Sequence, residues 1–173
     1  MKKFIIAFVF LLVFAAGFIF RDLLPAPSSV FQDNLVNPSP SFPPKKTFTV
    51  VKVLDGDTVI VESGEAIRYL GIDAPEKNGP LGISAGRYNE GLVLDKKITL
   101  EFDYETYDQF GRLLGYVWLD NLMVNEKLIE EGYAKVYTIP KTRKLKYWDR
   151  LIKAKEWAKE HHNGMWLENW VDN

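Results

Sequence analysis

The sequence predicts an α+β fold, a small closed β-barrel of five strands carrying three helices, formed by one domain of roughly 125 residues. Three observations predict it. β-Branched and aromatic residues recur in short alternating runs from Thr47 onward, turn residues separate the runs, and helical spacing interrupts them between the third run and the fourth.

The chain ahead of that domain divides into two parts. Residues 1–21 place two lysines before an apolar run, 4–20, that as a helix would measure about 26 Å, between a signal-peptide core and a membrane span. An N-terminal membrane anchor and a cleaved signal peptide both fit. Ala26-Pro27-Ser28 is the nearest cleavage-like site, and the uncleaved anchor is preferred. On either reading the lysines stay in the cytoplasm, so the domain is expected to be exported, anchored outside the cell membrane or secreted. Residues 22–46 hold six of the nine prolines and no sustained period, as in a semi-extended linker.

Residues 47–170 then supply the elements in order. TFTVVKVL and DTVIVES alternate on either side of Asp55-Gly56, a two-residue hairpin signal, and Ser63-Gly64 turns the chain into AIRYLGI. KNGPLG ends these strands. Residues 84–94 read as a helix with Ser84 as N-cap and Ala85, Tyr88 and Leu92 on one face. KKITLEFDY and LLGYVWLD are the fourth and fifth strands, with Gly111 in the turn between them. NLMVNEKLIEEG is a short helix stopped by Gly132; after YAKVY, residues 145–161 form a longer one with Leu145, Trp148, Ile152 and Trp157 partly on one side. An OB-fold barrel is the common solution for five strands in a domain of this size.

Composition narrows the chemistry. The chain has no cysteine and only two histidines, His161 and His162, which disfavours thiol nucleophiles, zinc–thiolate centres and histidine triads. Carboxylates, arginines, lysines, hydroxyls or an oxygen-held metal remain. The net charge of −1 does not announce a nucleic-acid binder, although eight basic residues between 141 and 159 face only Asp149 and Glu156. That run is either a solvated helix face or a footprint for a polyanion.

Asp57 shares a strand face with Val59 and Val61, and Asp73 ends the third run on the face of Ile67, Tyr69 and Gly71. If those faces line the barrel, two carboxylates meet at its mouth, and such donors favour a hard cation, Ca²⁺ or Mg²⁺. DGDT alone is more often an ordinary turn. Arg68 and Asp73 lie on opposite faces of a regular strand, so a bulge or twist is required if both serve one site. Arg112 beside Gly111 and Glu76 after Pro75, taken singly, read as turn and loop charges.

Together, DGDT, R-x4-D-A-P-E and D-x2-G-R, in this order and spacing, with MVNEKLIEEGYAKVY and a late GMW, resemble the staphylococcal nuclease (thermonuclease) family over about residues 48–168. What the resemblance implies is an SNase-like OB barrel with three helices that hydrolyses phosphodiester bonds of DNA and RNA using Ca²⁺, leaving 3′-phosphate and 5′-hydroxyl ends. It implies Asp57 and Asp73 as the carboxylate ligands of calcium, with Ala74 lending its backbone carbonyl. Many relatives carry threonine there; the carbonyl survives the change and the hydroxyl does not. Arg68 and Arg112 match the two phosphate-contacting arginines, and Glu76 matches the glutamate that orients or deprotonates the attacking water. Tyr137 is a candidate for stacking on the substrate nucleotide, with a core tyrosine as the alternative, and Gln109 and the basic run are candidates for guiding the strand. Trp166 is expected to pack the last helix against the barrel. A monomer is expected, with the membrane as a partner if the N-terminal segment is uncleaved. The rival reading is a non-catalytic OB-fold module that binds nucleic acid or protein, disfavoured because Asp57, Arg68, Asp73, Glu76 and Arg112 are all present.

Overall fold

The alternating runs form strands whose inward faces close on one another. In the computed structural model, which describes residues 43–137 and 144–167, the strands are β1 (Lys46–Val53), β2 (Thr58–Val61), β3 (Ala66–Tyr69), β4 (Ile72–Asp73), β5 (Lys97–Glu101), β6 (Leu113–Leu119), β7 (Leu122–Met123) and β8 (Lys135–Val136). The helices are α1 (Pro80–Val93), α2 (Val124–Glu130) and α3 (Trp148–Glu160). The expected anchor or signal segment and most of the expected linker lie outside the described residues. Among the described residues no helix is long and apolar enough to cross a membrane.

β1 pairs antiparallel with both β2 and β5, β2 with β3, and β5 with β6; a parallel β3–β6 pairing closes the ring of five. Closure leaves no open edge and encloses Val50, Val59, Ile67, Ile98, Leu100 and Val117, all inaccessible to solvent. Asn125 of α2 ties the parallel seam, accepting from Val117 N–H at 2.8 Å and donating to Leu70 C=O at 2.9 Å.

Three elements differ from expectation. The β1–β2 connection is not a two-residue turn: residues 54–57 span it, Leu54 N–H donates to Thr58 C=O at 2.9 Å, and Asp57 N–H donates to Asp55 Oδ1 at 3.0 Å. α1 starts at Pro80, where the missing N–H costs nothing, and Ser84 lies inside the helix with its hydroxyl donating to Pro80 C=O. The buried stripe of α3 is Leu151, Ala154 and Ala158, while Trp157 is 53% exposed and stacks on His161. α3 packs on α2, so small residues occupy its inner face and the indole is displaced outward.

Candidate functional site

The third run does not continue as one strand to Asp73. β3 ends at Tyr69, Gly71 takes φ +80°, and Ile72–Asp73 resumes as β4, antiparallel to β8. A side chain at Gly71 would also meet Leu151 Cδ1 at 2.7 Å, so both conformation and space require glycine. The break resets the alternation and brings Asp73 to Arg68. One guanidinium nitrogen, NH2, donates to Asp73 Oδ1 at 2.9 Å, and NH1 donates to Tyr69 C=O and Ile72 C=O, each at 2.8 Å, spanning the break. The twist that residue parity required lies here.

Arg68 also reaches Asp57, the residue before its β2 ladder partner Thr58: Arg68 Nε is 3.2 Å from Asp57 Oδ1. Thr58 Oγ donates to Asp57 Oδ1 at 3.0 Å, and Ala74 N–H donates to Asp57 Oδ2 at 2.6 Å. Burial pushes the Asp57 carboxyl up to about 6, against the lowering effects of Arg68 and the Ala74 N–H and with a further push from Asp55. A carboxylate in that condition gains most from a cation placed beside it. Asp57, Asp73 and the Ala74 carbonyl offer only hard oxygens, and the Asp73 side chain is 56% exposed, open to water. This donor set fits Ca²⁺ or Mg²⁺ completed by water. Among the described residues no group of three or more histidines or carboxylates forms a ready-made cage.

Arg68 pairs with Leu114 in the parallel β3–β6 register, and Arg112 lies two residues earlier, immediately ahead of β6. Asp108 sets its attitude. Asp108 Oδ2 accepts from Arg112 Nε at 2.6 Å, while Oδ1 accepts from the backbone N–H groups of Phe110 and Arg112. Both terminal guanidinium nitrogens of Arg112 lack hydrogen-bond partners among the described residues. The D-x2-G-R spacing carried this clamp, and the sequence reading assigned Asp108 no role.

Glu76 is exposed, and its carboxylate has no partner among the described residues. Its backbone is held: Gly79 N–H donates to Glu76 C=O at 3.0 Å, and a Cβ at Gly82 would sit 1.9 Å from that oxygen. Sequence reasoning treated KNGPLG only as a break, although its last glycine is what lets this loop lie on α1.

Tyr137 stands 47% exposed beside β4, its N–H donating to Gly71 C=O at 2.9 Å, and is not part of the core. Gln109 is exposed in the loop that carries Arg112. Of the basic run, Lys141 and Arg143 lie outside the described residues, while Lys144, Lys146, Arg150 and Lys155 pair with Asp149, Glu101, Glu126 and Glu156. Trp166 sits beneath Lys159, 5.0 Å from its Nζ, in a short 3₁₀ turn whose Met165 N–H donates to Gly132 C=O.

Comparison with known proteins gives concordant matches. The family model described as staphylococcal nuclease homologue matches residues 66–168. The chain is 34% identical over 131 residues to a thermonuclease of Staphylococcus hyicus, covering 70% of this chain and 76% of that protein. It is 36% identical over 104 residues to a thermonuclease of Staphylococcus intermedius, covering 55% and 62%. It is 37% identical over 133 residues to the SPbeta prophage-derived endonuclease YokF of Bacillus subtilis, covering 70% and 44%. The chain thus spans less than two thirds of the length of the latter two relatives.

Proposed function

Because the chain belongs to the staphylococcal nuclease family, we propose that it is a nuclease hydrolysing phosphodiester bonds of DNA and RNA with Ca²⁺, leaving 3′-phosphate and 5′-hydroxyl ends. The observation that carries this reading is the convergence of Asp57 and Asp73 on Arg68, with Arg112 held by Asp108 just ahead of the strand that pairs with β3.

A phosphodiester resists hydrolysis because the nucleophile approaches negative oxygens and charge grows in the transition state. Asp57, Asp73 and the Ala74 carbonyl would hold Ca²⁺, which would supply positive charge against those oxygens. Arg112, its Nε fixed by Asp108, offers its two remaining nitrogens as a planar fork to the phosphate. Arg68 adds a second guanidinium from the barrel, held against the carboxylates. Glu76, exposed and without a partner among the described residues, takes the proton of the attacking water, a contribution of roughly 10²–10⁴-fold. Tyr137 offers an exposed ring to a nucleobase. The lysines and apolar run of residues 1–21 support export, with the domain anchored outside the membrane or secreted.

The test is cleavage of single- and double-stranded DNA and of RNA by the full-length chain in mild detergent, with Ca²⁺ or chelator, beside Arg68→Ala, Glu76→Ala and Arg112→Ala. Calcium-dependent cleavage falling about 100-fold or more in each variant is expected. Absence of cleavage by the folded protein across a calcium and pH series overturns the reading. The size of the chain in membrane and medium fractions distinguishes anchor from secreted form.

A further inference from the structure

Asn89 is a fully buried amide on α1. Its Nδ2 donates to the backbone carbonyl of Asp55 at 3.1 Å, and its Oδ1 accepts from the Tyr69 hydroxyl at 3.0 Å. The orientation is dictated. A carbonyl only accepts, so the amide nitrogen must face Asp55, and the oxygen left over requires a donor, which Tyr69 supplies. Tyr69, itself inaccessible and adjacent to Arg68, also donates its backbone N–H to Asp57 C=O at 2.9 Å.

The Asp55–Gly56–Asp57 turn is therefore gripped at both ends by one pair of residues. Between those ends, a Cβ at Gly56 would meet Ala74 Cβ at 2.7 Å and Ala85 Cβ at 2.8 Å, so the turn also has no room to shift toward α1. An apolar pair would fill the space between α1 and β3 without burying a hydroxyl and an amide. The polar pair makes sense through what it reaches, the carbonyl of the turn that aims Asp57.

We propose that Asn89, oriented by Tyr69, is a positioning residue for the Asp57 carboxylate, fixing the turn and with it the affinity of the site for a divalent cation. The inference rests on the reading of Asp57 as a cation ligand.

The experiment uses the full-length chain and compares wild type, Asn89→Leu, Tyr69→Phe and, as a control, Tyr116→Phe, which strips a buried hydroxyl bonded to Asp103 on a strand that does not carry the turn. Calcium affinity is read by calorimetric titration, and hydrogen exchange is read at the Asp57 amide, which donates to Asp55 Oδ1. Asn89→Leu is expected to weaken calcium about tenfold and to speed Asp57 exchange by a similar factor, with KM for DNA at saturating calcium within about twofold of wild type. Tyr69→Phe shifts both in the same direction by about threefold, and Tyr116→Phe shifts neither. Loss of melting temperature in Asn89→Leu with calcium affinity and Asp57 exchange unchanged overturns the proposal. If Asn89→Leu does not fold, unchanged values in Tyr69→Phe do the same. A wild-type chain that binds no calcium overturns the reading of Asp57 as ligand, and this inference falls with it.

Discussion

Arg68 Nε lies 3.2 Å from Asp57 Oδ1 with both side chains nearly closed off from solvent, at 14% and 7% exposure. Removing the guanidinium takes from Asp57 and Asp73 the cation they share, and Asp57 is buried. Arg68→Ala is therefore expected to cost about 3 kcal/mol of stability in addition to its effect on cleavage. Urea denaturation with and without Ca²⁺ checks this: if the proposed site binds calcium, the loss should shrink at saturating calcium, because an ion there would neutralise the same oxygens. An equal loss in both conditions counts against a shared position.

The Asp108 clamp should be sensitive to acid. Burial raises the Asp108 carboxyl, but the backbone and side-chain N–H groups of Arg112, the Phe110 N–H and the Arg112 charge outweigh it and hold the group below its ordinary value. A depressed folded value means the contribution is complete above the unfolded carboxylate value, about 3.9, and is lost as pH falls through the lower folded value. Asp108→Asn should flatten the stability profile below about pH 4, while lowering cleavage about tenfold at neutral pH through a looser Arg112. Denaturation from pH 2 to 6 and steady-state rates at pH 7 read the two effects separately.

Gly82→Ala would place a methyl group 1.9 Å from Glu76 C=O. The loop must shift away from α1. The expected cost is about 1–3 kcal/mol of stability, and on the proposed role of Glu76 kcat should fall more than KM changes, because the loop that carries it is displaced. Gly91→Ala, on the same helix with nothing within 4 Å of the added carbon, should change neither by much.

Asn125→Leu should leave Val117 N–H and Leu70 C=O unpaired at the seam where β3 and β6 run parallel. A loss of about 3 kcal/mol is expected. Native-state hydrogen exchange across β6 should accelerate in step with it; an unchanged exchange pattern would show that the β3–β6 ladder holds the seam without Asn125.

Much of this architecture was legible in the chain. Val59, Val61 and Ile67 point inward because period-two alternation leaves them no other place once one face is buried, and Gly64, Gly111 and Gly132 turn the chain at positive φ where the sequence placed its turns. Asp57, on the face of Val59, is buried at 5% exposure as that parity required. The helix faces were less legible. Trp157 carries the stronger apolar signal, yet Leu151, Ala154 and Ala158 are buried, because the gap between α2 and α3 selects for size and not for hydrophobicity alone.

The sequence by itself determined the chemistry on offer: oxygen donors and guanidiniums, with no thiol and no histidine cluster, in an order that marks the family. Only the tertiary structure decided how those groups meet. Arg68 and Asp73 are five residues apart on opposite strand faces, and a backbone break at Gly71, enforced by φ +80° and by Leu151 of α3, turns one toward the other. Asp108, Gly82 and Asn89 act through partners four, six and thirty-four residues away. Local periodicity reports which face a side chain takes; it carries no record of what another element will bring to that face, since such contacts exist only after the chain has closed.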